Sequence, residues 1–288
     1  MNKENFKKML YWMEERQRIY LRKEAGEPKP WTKDPILRDN KFCNVYREQD
    51  KTTVWIKENW RDPYADHEDL WFAMLVARLI NKPDSLQELG VPLPWSAKRF
   101  TQVIHKRTQR GDTVFSGAYI VSTNGIAMDK VDYLAERVLT PIWNARKQVR
   151  PVAVDTLDAF HKRLIQFNGV GSFIGAQVVA DMKYTPILCN ADDWYAFAAS
   201  GPGSRRGLNR VLGRPPAAAW SEEGWRNALR ELWVALGDDK RYAKLRAEGV
   251  FPQPVHCQDL QNVCCEFDKM MRISNGEGRM KATYKGGA

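Results

Sequence analysis

A mostly α-helical fold is what this 288-residue sequence predicts. Apolar residues recur every three or four positions over long windows. The segment Asp69–Ile80 ("DLWFAMLVARLI") is apolar nearly all round, and strand-like alternation is confined to the short run Ala118–Ser122 ("AYIVS").

Along the chain, Phe6, Met9, Leu10, Met13 and Tyr20 mark a first helix, read as an N-terminal helical arm over residues 1–30. The proline-rich stretch Glu24–Pro35 ("EAGEPKPWTKDP") is an extended connection, because proline lacks an N–H and disfavours helix in the residue before it. Asp69–Ile80 offers no polar face to water, which makes it a buried central helix. Val131, Leu134 and Val138 continue the helical period, and Thr140-Pro141 opens a new turn, where the fixed φ of proline is already helical. Trp225, Leu229, Leu232 and Leu236 draw another apolar stripe, and Leu260, Val263, Cys264, Phe267 and Met271 draw the last. No low-complexity tract or long linker separates these elements. Residues 31–275 therefore read as a single helical domain, followed by a basic, glycine-rich tail at 276–288.

Charge narrows the function. Lys and Arg number 45 against 35 Asp and Glu, a net charge of +10. Such an excess suits a polyanion, since neutralising phosphates releases their counterions. Eleven tryptophans are partly interleaved with basic residues, as in "KTTVWIKENWRDPY", a pattern able to stack bases between phosphate contacts. No apolar run approaches the roughly 18 residues of a membrane span, and the charged start "MNKENFKK" is no secretory signal. The five cysteines, odd in number and mostly in apolar surroundings, suit reduced thiols in a cytosol-like compartment. No histidine–carboxylate cluster at metal-ligand spacing is seen, so no metal site is predicted.

The sharpest local pattern is "DTLDAFHKRLIQFNGVGSFIGAQVVADMKY". Leu157, Phe160, Leu164 and Phe167 mark one helix, and Asn168-Gly169-Val170-Gly171 a tight turn. Ser172 is placed to cap a second helix carrying Ile174, Val178 and Met182. The glycines permit positive φ and bare N–H groups that can hold a DNA phosphate, although a generic αα turn needs glycine as well. Helix, G-V-G, helix resembles the hairpin of helix-hairpin-helix DNA glycosylases. That resemblance implies a glycosylase-like helical fold with its hairpin near 155–183, and DNA contact through Gly169, Val170, Gly171 and Ser172. In those enzymes an aspartate after the second helix faces the flipped base, and Asp192 and Asp193 stand in that place. The lysine that performs lyase chemistry two residues after the second glycine is replaced by Phe173, and Cys257, Cys264 and Cys265 do not supply an iron–sulfur set.

Ser200–Arg210 ("SGPGSRRGLNR") is open to three readings. Gly201, Gly203 and Ser204 can present a nest of N–H groups, with Arg205 and Arg206 as forks for a pyrophosphate. The same residues can grip a DNA backbone or simply turn the chain. In "FCNVYREQDK", Asn44 and Arg47 share one helical face and suit a base edge or a phosphate, as would a helix carrying internal salt bridges. Glu266 and Lys269 are spaced to pair, Cys264 and Cys265 read as core, and His161 reads as a surface residue. No G-x-x-x-x-G-K-[ST] phosphate loop is present; "GVGSFIGA" has the glycines without the lysine.

Four stretches taken in order carry a wider resemblance: "GEPKPWTKDPILRDNKFCNVYREQDKTTVW", "FNGVGSFIGAQVVADMKY", "GPGSRRGLNR" and "DLQNVCCEFDKMMRISNGEGRMKATY". Together they resemble the helical family of α-glutamyl/putrescinyl thymine pyrophosphorylases and the helical domain of 5-hydroxymethyluracil DNA kinases. The resemblance implies thymine hypermodification in phage DNA, in the cytoplasm of an infected bacterium, as a shield against restriction enzymes. A kinase pyrophosphorylates the 5-hydroxymethyl oxygen, and a pyrophosphorylase then replaces the pyrophosphate with an amine or amino acid. Without a P-loop this chain would be the free-standing helical protein, with a kinase as a separate partner. Double-stranded DNA bearing modified thymine and an amine are the implied substrates. No cofactor is implied beyond a divalent ion that could escort the pyrophosphate. The residues also fit a monofunctional DNA glycosylase or a non-catalytic module presenting modified bases to a kinase.

Overall fold

Every regular element among the described residues is helical. The structure is a computed structural model that describes residues 1–117, 122–123 and 125–277. The predicted strand therefore falls largely outside the described residues, at 118–121, as does most of the tail, at 278–288. In chain order the helices are α1 (Lys3–Glu24), α2 (Pro35–Asp39), α3 (Lys51–Ile56), α4 (Leu70–Ile80), α5 (Pro83–Leu89), α6 (Ala97–Gln109), α7 (Lys130–Tyr133), α8 (Thr140–Asn144), α9 (Arg146–Val149), α10 (Leu157–Leu164), α11 (Ser172–Met182), α12 (Pro202–Leu212), α13 (Glu222–Gly237), α14 (Lys240–Ala247) and α15 (Cys257–Ser274). Wider π turns, Lys57–Arg61 and Leu134–Leu139, prolong α3 and join α7 to α8. No helix among the described residues is long and apolar enough to cross a membrane.

The chain divides into two compact units, where one domain and an arm were expected. One unit comprises Met1–Asp50 and the chain from Ala198 onward; the other is Lys51–Phe197. Each has its own apolar core, and that is the physical reason for the division. Nor is α1 an arm. Met9, Trp12 and Met13 are fully buried, in a core shared with Val45, Leu208, Trp225 and Phe267.

In the first unit the closest helix crossing is α12 on α15. A Cβ on Gly207 would lie 1.8 Å from the carbonyl oxygen of Cys264, and one on Gly203 would lie 2.4 Å from Cys265 Sγ. These two glycines let the helices touch, backbone to backbone at Gly207 and backbone to side chain at Gly203. The α12 helix starts at Gly201, whose N–H donates to Ser204 Oγ at 2.9 Å, with Pro202 in its first turn.

In the second unit α4 is buried along its whole length, as its sequence predicted. It binds α11 through Arg78 and Asp181, each 1 % exposed and paired by two hydrogen bonds of 2.5 and 2.6 Å. The α10–α11 pair is joined by the predicted glycine turn, but its details differ. The first helix stops at Leu164, so Phe167 lies in the turn. Gly171, not Ser172, is the N-cap of α11. Gly169 has φ of +82°, and a Cβ there would meet Val138 Cγ2 at 2.5 Å, so glycine is required twice over. His161 is buried rather than on the surface, with Nε2 2.9 Å from the carbonyl of Ser172. It locks the start of α11 onto α10.

Gly207→Ala is expected to cost on the order of 1–3 kcal/mol or more, because rigid backbone must shift to admit one methyl group. Thermal melting measures it, and an unchanged melting temperature would refute the close crossing.

Candidate functional site

The residues singled out by sequence fall in two places. Asn44, Arg47 and the Gly201–Arg206 turn belong to the first unit; the hairpin and both aspartates belong to the second.

In the first unit one helix, α15, organises the polar groups. The segment before α3 is not a helix: Asn44 lies in an irregular run, and Arg47 starts a single 3₁₀ turn, Arg47–Gln49. Asn44 and Arg47 therefore do not share a helical face. Both are buried instead, and α15 holds their backbone. Glu266 accepts the N–H of Cys43 at 3.0 Å, Asn262 donates to the carbonyl of Asn44 at 3.2 Å, and Asp259 accepts the N–H of Arg47 at 3.1 Å. Glu266 also pairs with Lys269 at 2.8 Å, as its spacing suggested. Asn44 donates its side-chain amide to the carbonyl of Gln49 and its N–H to Asp50. Burial drives the Asp50 carboxyl up to about 6, against the opposing pull of that N–H, Arg47 and Arg16. The neighbouring Cys43 thiol is raised by burial and by the charges of Glu266 and Asp50.

The "GPGSRRG" stretch is the first turn of α12, and its two arginines have different surroundings. Arg205 is fully engaged: Nε donates to Ser200 Oγ, Nη1 to the carbonyl of Trp220 and Nη2 to Glu222. Burial pushes Glu222 up, but its bonds from Ser200 and Arg205 outweigh this and hold it below the usual carboxyl value. Arg206 uses only Nε, on Asp268 at 2.9 Å, and the side chain is 40 % exposed. Its Nη1 and Nη2 make no hydrogen bond among the described residues. Asp268 is wholly buried and also accepts from Arg210 Nε at 2.9 Å, while Arg272 Nε lies 3.3 Å away as an ion pair. Three guanidinium groups around one carboxylate leave a positive excess, relieved at Arg210 by Glu277, whose carboxyl is lowered to about 2 chiefly by that bond. Gly203 packs on Cys265 and Ser204 is buried, so neither forms an open nest.

In the second unit the aspartates separate. Asp193 accepts the N–H groups of Leu157 and Asp158 at 2.7 and 3.0 Å, which makes it a cap for α10. Asp192 is exposed on the rim of a cleft of about 450 Å³. In the hairpin turn, Val170 is buried, while Gly171 and Ser172 face solvent and no atom lies within 4 Å of a Cβ added at Gly171. A phosphate could approach there.

Folding also makes a group that sequence spacing concealed. His105 on α6 lies 2.8 Å from Asp132 and 3.9 Å from Asp129, close enough for the three to share a metal ion. The expectation of no such cluster is corrected to that extent. The contacts have a structural explanation too, since Asp129 caps α7 and His105 ties α6 to it. Cys264 is buried as expected, and burial raises the half-buried Cys265 thiol to about 11, far from a reactive thiolate.

A chain whose described regular elements are all helices, with arginines gathered on a buried carboxylate, is the class these observations define. The family described as "5-hmdU DNA kinase, helical domain" matches residues 3–280, and the chain belongs to that family. It is similar to the 5-hmdU DNA kinase of Bacillus phage SP10, at 25% identity over 232 residues. The match covers 69% of this chain and 34% of that relative, so the chain spans about a third of the relative's length. No solved structure matches.

Asp50 yields a pH prediction. Its folded value lies above the ordinary aspartate value of about 3.9, so the folded state binds the proton more tightly. The associated stability is complete below that value and is lost as pH rises through about 6. Asp50→Asn keeps an oxygen acceptor for Asn44 and removes the buried charge. It is expected to stabilise the protein above pH 7 by on the order of 2 kcal/mol, seen as a higher melting temperature, with the gain vanishing near pH 4. A gain that is absent, or equal at both pH values, would contradict the raised carboxyl.

Proposed function

We propose that this protein acts in thymine hypermodification of DNA, displacing pyrophosphate from 5-pyrophosphoryloxymethyl-uracil with an amine or amino acid. The observation that carries the reading is Arg206, aligned through Nε by a buried carboxylate with its other two nitrogens uncommitted. A fork held in this way suits the paired oxygens of a diphosphate. In the reaction the C–O bond of the 5-methylene breaks, with its electrons leaving on the pyrophosphate, and a C–N bond forms to the amine. A cation beside the departing oxygen stabilises the charge that develops there. The proton that the amine loses in forming this bond passes to solvent. Asp193 is assigned to shaping the loop, since both its oxygens are bonded to helix N–H groups. Gly171 and Ser172 are assigned to a DNA phosphate.

A second reading is favoured by the comparison itself. The matching region is described as the helical domain of a kinase. In that reading the protein presents the modified base to a separate kinase and leaves the DNA unchanged.

The test is pyrophosphate release from duplex DNA carrying 5-pyrophosphoryloxymethyl-uracil, with an amine present. Arg206→Ala is expected to lower turnover roughly a hundredfold or more, with DNA affinity little altered. Arg205→Ala is expected to lower the melting temperature instead, because it frees Glu222 and Ser200. If Arg206→Ala weakens DNA binding and leaves turnover at saturating DNA intact, the arginine grips the backbone and the clamp is wrong. DNA bound without any product from the wild-type protein would favour the presenting module.

A further inference from the structure

The two oxygens of Asp268 keep different company. Oδ1 accepts from Nε of Arg210, a buried side chain whose outer nitrogens are taken up by Glu277. Oδ2 accepts from Nε of Arg206 at 2.9 Å and lies 3.3 Å from Nε of Arg272. These last two side chains are 40 % and 38 % exposed. Because both Nε atoms touch one oxygen, two guanidinium groups stand side by side at the surface. One rises from α12 and the other from the last turn of α15. The terminal nitrogens of both make no hydrogen bond among the described residues.

The charges around the pair do not cancel. Asp268 supplies it with one negative charge. Glu277 is committed to Arg210 and accepts from Asn275 at 2.8 Å, and Arg272 is the smallest of the influences on its carboxyl. Lys269, the next cation on α15, is matched by Glu266. One positive charge of the exposed pair is therefore left over, and neighbouring like charges repel until an anion joins them. A helix C-terminus favours a cation in its last turn, but that preference does not require Arg272 to share an oxygen with Arg206.

We infer that Arg272 is the second half of an anion clamp with Arg206, and that the pair selects a diphosphate over a monophosphate. Each guanidinium offers two terminal nitrogens as a planar fork, the shape that matches paired phosphate oxygens. A diphosphate carries such oxygens on two phosphorus atoms and can engage both forks at once. A monophosphate carries them on one and fills a single fork. Both forks are aligned beforehand by a buried carboxylate, so little freedom is lost when the anion arrives. The inference rests on the proposed clamp at Arg206, and it adds the residue that completes the clamp and the ligand that it prefers.

Calorimetric titrations of inorganic pyrophosphate and of inorganic phosphate into the full-length protein, Arg272→Ala and Arg272→Lys read this preference, with a thermal melt of each. The wild type is expected to bind pyrophosphate the more tightly. Arg272→Ala is expected to weaken pyrophosphate on the order of tenfold or more. Phosphate should weaken less than about threefold, because one fork still serves it. Arg272→Lys keeps the charge without the fork and should recover only part of the preference; an undiminished preference in that variant overturns the fork. A purely structural Arg272 would lower the melting temperature and weaken both anions alike, which also overturns the inference. Pyrophosphate affinity lost in Arg206→Ala but kept in Arg272→Ala removes the second fork and leaves the Arg206 clamp standing. No binding of pyrophosphate to the wild type removes both. Competition then separates the sources of a diphosphate. Displacement by duplex DNA carrying 5-pyrophosphoryloxymethyl-uracil supports the clamp and the proposed reaction together, whereas displacement by ADP alone supports the clamp and contradicts the reaction. Displacement by unmodified duplex, with duplex affinity falling as far as pyrophosphate affinity in Arg272→Ala, overturns the diphosphate in favour of backbone phosphates.

Discussion

The buried carboxylate of Asp268 is the constraint on which the first unit depends. It is 0 % exposed and faces three guanidinium groups, from Arg206, Arg210 and Arg272. A buried charge of this kind persists only when it is paired, and removing its partners commonly costs on the order of 3–5 kcal/mol. Asp268 on α15 therefore fixes where α12 can lie, because Arg206 and Arg210 both rise from α12. Gly203 and Gly207 supply the steric half of the same arrangement by letting the two helices touch. Once α12 is set, Arg206 is held by one nitrogen and presents the other two. Stability and the candidate chemistry thus come from one contact.

The second unit uses the same device for another purpose. Arg78 and Asp181 pair inside the protein and bind α11 to the buried α4. The hairpin turn and the loop after α11 then inherit a fixed frame. His161 holds the start of α11, and Asp193 returns the loop to α10. Rigid support of this kind suits groups that must meet a ligand without rearranging. It also explains why adjacent aspartates differ so much: one is committed to helix N–H groups, and the other is left at the cleft.

Much of the fold was legible because helical spacing is a local signal. The buried α4, the stripe of α13 and the glycine turn at Gly169 all follow from nearby residues and steric rules. The division into two units was not legible. Segments 1–50 and 198–277 join across an insertion of 147 residues, Lys51–Phe197, and no local pattern reports such a pairing. The same limit explains the site. Arg205 and Arg206 are neighbours of one chemical type, yet their partners lie at Glu222 and Asp268, 17 and 62 residues away. His161 was misplaced because its partner, the carbonyl of Ser172, is set by the crossing of α10 on α11. Asn44 and Arg47 looked helical in register, but backbone bonds to α15 draw that segment out of a helix. One signal was available for the cleft: the run "DDWYAF" places two aromatic rings directly after two carboxylates.

The central claim is that Arg206, aligned by Asp268, receives a diphosphate. Calorimetric titration of inorganic pyrophosphate into the intact protein and into Arg206→Ala tests it without needing the modified DNA. Saturable binding to the wild-type protein, weakened tenfold or more in the variant, is the predicted result, in line with about 1.5–3 kcal/mol for a hydrogen bond to a charged group. Equal affinity in the two proteins, or no binding to the wild type, would contradict it.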